Sequence, residues 1–415
     1  MEIILNIILA LLLVFGIILL MNFVERYVEK QRKKALPPQN QKSYPYELLV
    51  LRARRISQEA YLNKDDEAFD RSLDLFEEMI GKKPDNFPVY IEYAKVLYSY
   101  SPEENKLPYY QKAVDILREA TKREPGIAKG FLMWGKILYR LYLLENDSEK
   151  CEVLLREAIN KYDKVIQLDP SSVEAYKKRA EILESLYNET NDQQLIQKHD
   201  ANYRRTSRLA PDDFSIYRDW ANFKKEIAIC NEDADAYIEC FKLYAKAFSL
   251  SESNSEAKFS SYTILLDWAD TLANYAIMKD DIQSFEESNE KYQIIKERYA
   301  KEAKDSLSEI ELYCIMNDIY IAKLNKTIYQ EGTATALEEK MAAFYGEHPI
   351  KVSFTLIQMY LSIDQEEKVV YWLKKLLDEL DPEDFDLLEE FGTYLIDSQP
   401  YAVLIEDFKN KYNIQ

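Results

Sequence analysis

An all-α fold built from stacked helix pairs is predicted by three observations. Turn residues are scarce, with 8 glycines and 13 prolines in 415 residues, fewer than a strand-rich chain needs. Apolar residues recur at helical spacing through most of the chain. Four prolines, Pro84, Pro125, Pro170 and Pro211, stand 41, 45 and 41 residues apart, each where one helix-like pattern stops and another starts. The stretch "VIQLDPSSVEAYKKRAEILESL" at 165–186 is the clearest joint. A hydrophobic fraction of 47% marks a folded chain, not a disordered one.

In chain order, the first element is "IILNIILALLLVFGIILLMNFV", residues 3–24, uncharged, with Asn6 and Asn22 as its only amides. A helix of that length reaches about 33 Å, enough for a hydrocarbon core of about 30 Å. It has no polar stripe, so it predicts a membrane anchor and not a soluble core helix. A cleaved signal peptide needs a basic start, a shorter apolar run and a small-residue exit, and none is present. The flank "ERYVEKQRKK" carries Arg26, Lys30, Arg32, Lys33 and Lys34, and no Lys or Arg precedes the run. Positive-inside asymmetry then puts the N-terminus outside and the bulk of the chain in the cytoplasm, with a periplasmic placement as the alternative. "ALPPQNQKSYPYE" at 35–47 breaks the helix at Pro37-Pro38 and Pro45 and reads as a spacer.

Aligning on the joint prolines brings out a common pattern. Tyr90, Phe131, Tyr176 and Tyr217 follow the joint, and Tyr93, Trp134, Arg179 and Trp220 come three residues later. Beside these stand the small residues Ala94, Gly135, Ala180 and Ala221, which allow two helices to approach closely. Eight residues before each proline is a large group: Phe76, Leu117, Tyr162 and Tyr203. Ala113 and Ala158 fill a further small position, from which Ser72 and His199 depart.

This pattern, clearest in "FLMWGKIL" with "AINKYDKVIQLDP" and in "AYKKRAEIL", resembles the tetratricopeptide repeat (TPR) family. The family period is about 34 residues, and these repeats exceed it by about 7 or 11. The surplus is either loop or longer helices, since additions of that size nearly preserve helical phase. Further pairs follow: "FSIYRDWANFKK" with "CFKLYAKAFSL", "ILLDWADTLANYA" with "NEKYQIIKERYA", and "IELYCIMNDIYIAKL" with "ALEEKMAAFYGEHP". Pro349 to Pro382 returns to 33 residues. The resemblance implies a right-handed α-solenoid of about eight TPR-like helix pairs over residues 48–385, after the anchor (1–24) and the juxtamembrane spacer (25–47). Residues 386–415 would be capping helices over the last apolar face.

In this family the first helix of each pair lines a protein-binding groove. By that resemblance the groove residues are Lys95, Tyr98, Lys129, Lys136, Tyr139, Lys177, Glu181, Arg218 and Asn222. Their cations suggest an acidic or C-terminal carboxylate ligand. Arg218 with Asn222 imitates one piece of the Lys/Asn clamp with which some relatives hold chaperone tails, and Asp267 stands where the next piece would be. The 32 tyrosines are expected at helix-packing positions.

The charge excludes some functions. A formal net charge of −19 argues against nucleic acid. Residues 364–397 hold twelve acids against three lysines, a face that could steer a basic partner. Cys151, Cys230, Cys240 and Cys314 form no CxxC pair, and His199 and His348 lie far apart, so no metal site is expected and the thiols read as buried or half-buried. No phosphate-loop, dinucleotide, zinc-protease or nucleophile-elbow motif occurs, so neither an enzyme nor a cofactor is expected.

These features predict a single-pass adaptor that binds proteins at the cytoplasmic face of a membrane. In layout it resembles the bacterial inner-membrane repeat adaptors of envelope assembly, without the C-terminal four-cysteine module of the lipopolysaccharide group. The alternatives are a periplasm-facing component of a secretion or flagellar assembly, and an organelle-surface targeting receptor.

Overall fold

The computed structural model describes residues 46–102, 105–254, 257–330, 332–381 and 401–412. The predicted anchor, its basic flank and most of the spacer lie outside the described residues. Among the described residues no helix is long and apolar enough to cross a membrane.

The described residues are all-α, without a strand. The helices are α1 (Tyr46–Asn63), α2 (Asp66–Lys82), α3 (Phe87–Tyr100), α4 (Lys106–Arg123), α5 (Ala128–Tyr142), α6 (Ser148–Leu168), α7 (Val173–Thr190), α8 (Gln194–Leu209) and α9 (Phe214–Asn231). They continue with α10 (Ala234–Glu252), α11 (Lys258–Lys279), α12 (Ile282–Arg298), α13 (Leu307–Leu324), α14 (Thr333–Ala342), α15 (Pro349–Leu361), α16 (Glu366–Glu379) and α17 (Tyr401–Tyr412). The first sixteen alternate as first and second helices of eight TPR-like pairs.

Two compact units divide within α4, one ending at Ile116 and the other starting at Leu117. In the first unit α1, α2 and α3 pack on one another, with Phe76 stacked on Tyr93 at 5.1 Å. In the second unit each helix from α5 to α13 packs on its successor. The first helices also touch one another, α5 on α7, α9 on α11 and α13 on α15. Helices α13 to α17 share one apolar core that includes Leu312, Leu356, Trp372 and Phe408.

The joints work by sterics. The residue before each proline cannot adopt helical angles easily. Lys83, Asp169 and Ala210 accordingly sit at φ −141°, −138° and −136°, and each still donates its N–H to the carbonyl four residues back. Tyr90 and Tyr217 then donate their hydroxyls to the carbonyls of Pro84 and Pro211, at 3.0 and 3.1 Å. The aromatic six residues after the proline therefore pins the turn as well as filling the core.

The turn inside each pair uses different chemistry. Lys64, Glu232 and Asp280 adopt left-handed angles, with φ of 53°, 51° and 53°, and end the first helix. Asp65, Asp233 and Asp281 follow at once and cap the next helix by accepting its free backbone N–H groups.

The surplus residues of each repeat lengthen the helices. α6, α10 and α11 run to 21, 19 and 22 residues, while the α9–α10 turn is only residues 232–233. The small positions serve close approach: Ala94, Ala180 and Ala221 are fully buried. At Gly135 an added Cβ would lie 2.7 Å from the Tyr162 ring. The two departures from the small pattern are also buried. Ser72 shares a 2.6 Å hydrogen bond with Ser57. His199 lies against Phe223, with ring centroids 3.6 Å apart.

Candidate functional site

Polar contacts run between the first helices of the second unit. Lys136 of α5 pairs with Glu174 of α7, and Tyr139 shares a 3.3 Å hydrogen bond with Ser185. Lys177 of α7 donates to Asp213, at the head of α9, at 3.2 Å, and to Ser215 at 2.6 Å. Lys225 of α9 lies 3.6 Å from Asp267 of α11. Lys351 of α15 donates to Glu309 of α13 at 2.7 Å and to Tyr313 at 2.9 Å. Side chains about 40 residues apart thus latch neighbouring first helices together.

The groove residues expected from the resemblance are all on first helices. Most of their charge is engaged within the chain. Besides Lys136 and Lys177, Lys95 is held by Glu92 at 2.5 Å, and Arg218 by its neighbour Asp219 at 2.7 Å. Glu181 accepts from Lys178 at 2.5 Å, and Asn222 Oδ1 accepts from Tyr244 at 2.7 Å. Tyr98 stacks on Tyr110, and Tyr139 on Tyr142. Lys129 is exposed, and among the described residues it has no acidic partner. An acidic ligand would have to compete with these internal carboxylates for nearly every cation of the set.

Of the nine, Lys177, Glu181 and Asn222 come together around one cleft of about 330 Å³ between α7 and α9, with Glu184, Asp219 and Tyr203. Glu184 was not singled out from sequence. It stands fourteen residues after its joint proline, the register occupied by Tyr98 and Tyr139 in earlier pairs. That register was the available signal. Burial pushes the Glu184 carboxyl up to about 7, and the charges of Glu226, Asp219 and Glu181 add to the effect. Among the described residues Glu184 has no cationic partner. Further along the same face, burial likewise raises the carboxyls of Asp267 and Asp270 on α11 and Asp318 on α13.

Tyr203 forms the floor of the cleft. It is only 4% exposed, and its ring stacks on Trp220 at 5.9 Å. Its hydroxyl has no hydrogen-bond partner among the described residues.

Two other charged centres are structural. Glu338 accepts from Tyr360 at 2.7 Å, Lys368 at 2.6 Å and Trp372 at 2.8 Å, tying α14 to α15 and α16. Asp200 accepts from Trp220 at 2.9 Å and Lys224 at 2.6 Å, tying α8 to α9. Among the described residues no group of three or more His, Cys, Asp or Glu could hold a metal ion. Cys151 and Cys240 are buried and Cys314 is half-buried, whereas Cys230 near the end of α9 is exposed.

No family model matches the chain, and no curated protein does. Several solved structures are similar over part of it. TTC0263, a thermophilic TPR protein of Thermus thermophilus, is 18% identical, with a TM-score of 0.36, over 52% of this chain and 99% of that one. PilW, described as a widely conserved type IV pilus biogenesis factor, is 16% identical, with a TM-score of 0.37, over 62% of this chain and 98% of its own. YrrB, described as a TPR protein with an unusual peptide-binding site, is 12% identical, with a TM-score of 0.32, over 50% and 94%.

Proposed function

We propose that the chain is a membrane-anchored scaffold that binds other proteins along the face made by its first helices. The observation that carries this is the cleft between α7 and α9. It gathers a half-buried carboxyl, Glu184, that no cation among the described residues meets, and a hydroxyl, Tyr203, that makes no hydrogen bond among them. No constellation of nucleophile, base and orienting group accompanies them, so binding is the chemistry they offer.

Anchoring rests on sequence alone. Residues 3–24 are long and apolar enough to span a bilayer, and the five basic residues after them favour the cytoplasmic side for the helical array. The test is protease accessibility of residues 46–412 in sealed, right-side-out vesicles. Protection until the membrane is opened supports the cytoplasmic adaptor. Digestion from outside replaces it with the periplasm-facing envelope component. Recovery of the whole chain in the soluble fraction would refute anchoring. Binding is tested separately, with a photo-crosslinking side chain at Asn222, on the cleft wall. Failure to capture any protein there, while the array stays folded, would refute the scaffold reading.

A further inference from the structure

We propose that the cleft between α7 and α9 takes a lysine or arginine side chain from a basic segment of a partner protein, its cationic head paired with Glu184 and hydrogen-bonded to the Tyr203 hydroxyl. This names the partner chemistry of the face described above and rests on that reading.

Four observations carry it. First, the cleft's charges do not cancel. Lys178 is held by Glu181, Lys177 by Asp213, and Asp219 by Arg218. Glu184 is left as the uncompensated charge, half-buried and facing the carboxylates of Asp219 and Glu181. A desolvated carboxylate among like charges is stabilised most by an incoming cation.

Second, Tyr203 is nine-tenths buried and lines the same cleft, with its hydroxyl unpartnered among the described residues. Its ring cannot turn away, because it is stacked on Trp220 and flanked by His199 at 4.7 Å. A phenol oxygen can accept one N–H while the carboxylate accepts others, and an ammonium or guanidinium supplies several donors from one head.

Third, a volume of about 330 Å³ suits a single long side chain and not a folded domain.

Fourth, the surroundings select charge. Asp270 and Asp318 on α11 and α13 have no cation paired with them among the described residues, though Tyr292 and Asn289 of α12 donate to them, and the whole chain carries −19. Acidic residues repeated along successive first helices match several cations in one extended segment, so a peptide is a better fit than a lone amine. Long-range attraction raises the encounter rate of such a segment.

The experiment uses the full chain in nanodiscs of zwitterionic lipid, with a fluorescein-labelled hexalysine peptide as probe, read by anisotropy at ionic strength of about 0.1 M. Saturable binding is expected. Glu184→Gln should weaken it about tenfold and Tyr203→Phe about threefold, in line with losing a charged and a neutral hydrogen bond. Tyr203→Phe keeps the ring and its stacking, and helical circular dichroism confirms that each variant is folded. Glu297→Gln removes the same charge from an exposed site on α12 and should leave binding unchanged.

Equal weakening by Glu297→Gln and Glu184→Gln would mean attraction to net charge alone and would overturn the proposal. So would a hexaglutamate peptide that binds as well as hexalysine, or a Tyr203→Phe variant that binds as wild type. If replacing Arg26, Lys30, Arg32, Lys33 and Lys34 by serine tightened hexalysine binding about tenfold, the chain's own basic segment would be the occupant, again against the proposal. If crosslinking from Asn222 captured a partner through a segment without Lys or Arg, the scaffold reading would stand and this inference would fall.

Discussion

Replacing Gly135 by alanine drives a methyl group into the Tyr162 ring. The new Cβ would lie 2.7 and 2.8 Å from two ring carbons, where ordinary contact begins at 3.4 Å, so something must move by about 0.7 Å. Tyr162 is fully buried against the small residues of its neighbours and has no solvent space to swing into. Alanine gains about 0.8–1.0 kcal/mol of helix propensity in mid-α5. Overpacking a filled core costs about 1–3 kcal/mol. The expected net is a loss of up to about 2 kcal/mol, confined to α5, α6 and the helices packed on them. The chain has two units, so one global melting curve would mix them. Native-state hydrogen exchange resolved to α5 and α6 measures the local loss. Gly81, at the end of α2, is the control: nothing lies within 4 Å of its added Cβ. Gly81→Ala should stabilise α2 by about 0.5–1 kcal/mol. If Gly135→Ala raised protection in α5 and α6 by a similar amount, the close-approach argument for the small positions would be wrong. A Gly135→Ala, Tyr162→Leu pair should lose less than the sum of its singles, by about 1 kcal/mol.

Glu338→Gln should cost about 2–3 kcal/mol, because the buried carboxylate that collects three donors from α15 and α16 loses its charge; urea unfolding followed at Trp372 measures it. Glu232→Gly should raise stability by about 0.5–1 kcal/mol, since glycine holds the left-handed angle at the α9–α10 turn without a Cβ clash, and hydrogen exchange resolved to α9 and α10 would show it. The half-buried Glu184 and the buried His199 give opposite pH trends. Glu184 titrates at about 7 when folded, above its ordinary value, so its contribution is present at low pH and lost as pH rises through 7. His199 is pushed down to about 3 by burial and by Lys224, so its contribution is present above about 6.5 and lost, by about 1.4 kcal/mol per pH unit, as pH falls toward 3. The two slopes oppose each other between about pH 4.5 and 6.5, so stability followed in denaturant should be flat there in the wild type, rise with pH in Glu184→Gln and fall with pH in His199→Leu.

Much of the architecture was legible because its signals are local. A proline forbids the helix at the residue before it, a small residue permits a close approach, and an aromatic six residues on returns a hydroxyl to the joint; each acts within one turn or between adjacent helices. The destination of the repeat surplus was not legible, since additions of two or three turns fit a loop or a longer helix equally well. The departures Ser72 and His199 looked like weak repeats, but each fills its place by contacts with another helix, Ser57 in one case and Phe223 in the other.

The helix pairs, their joints and their small contact positions follow from the amino-acid order, because they depend on near-neighbour sterics and helical periodicity. The same order put the candidate binding residues on first helices. Which of their charges are spent emerged only once the helices were packed. Lys136 and Lys177 look available in sequence, yet each is claimed by a carboxylate about 40 residues away, on or at the head of the next first helix. Glu184 carried no signal of its own in the sequence, and Tyr203 stood among the large residues eight positions before a joint proline. They became the candidate site because stacking half-buried one and buried the other in one cleft and brought no partner to either among the described residues. Pairing between repeats is a contact at long sequence range, and no pattern within one repeat encodes it.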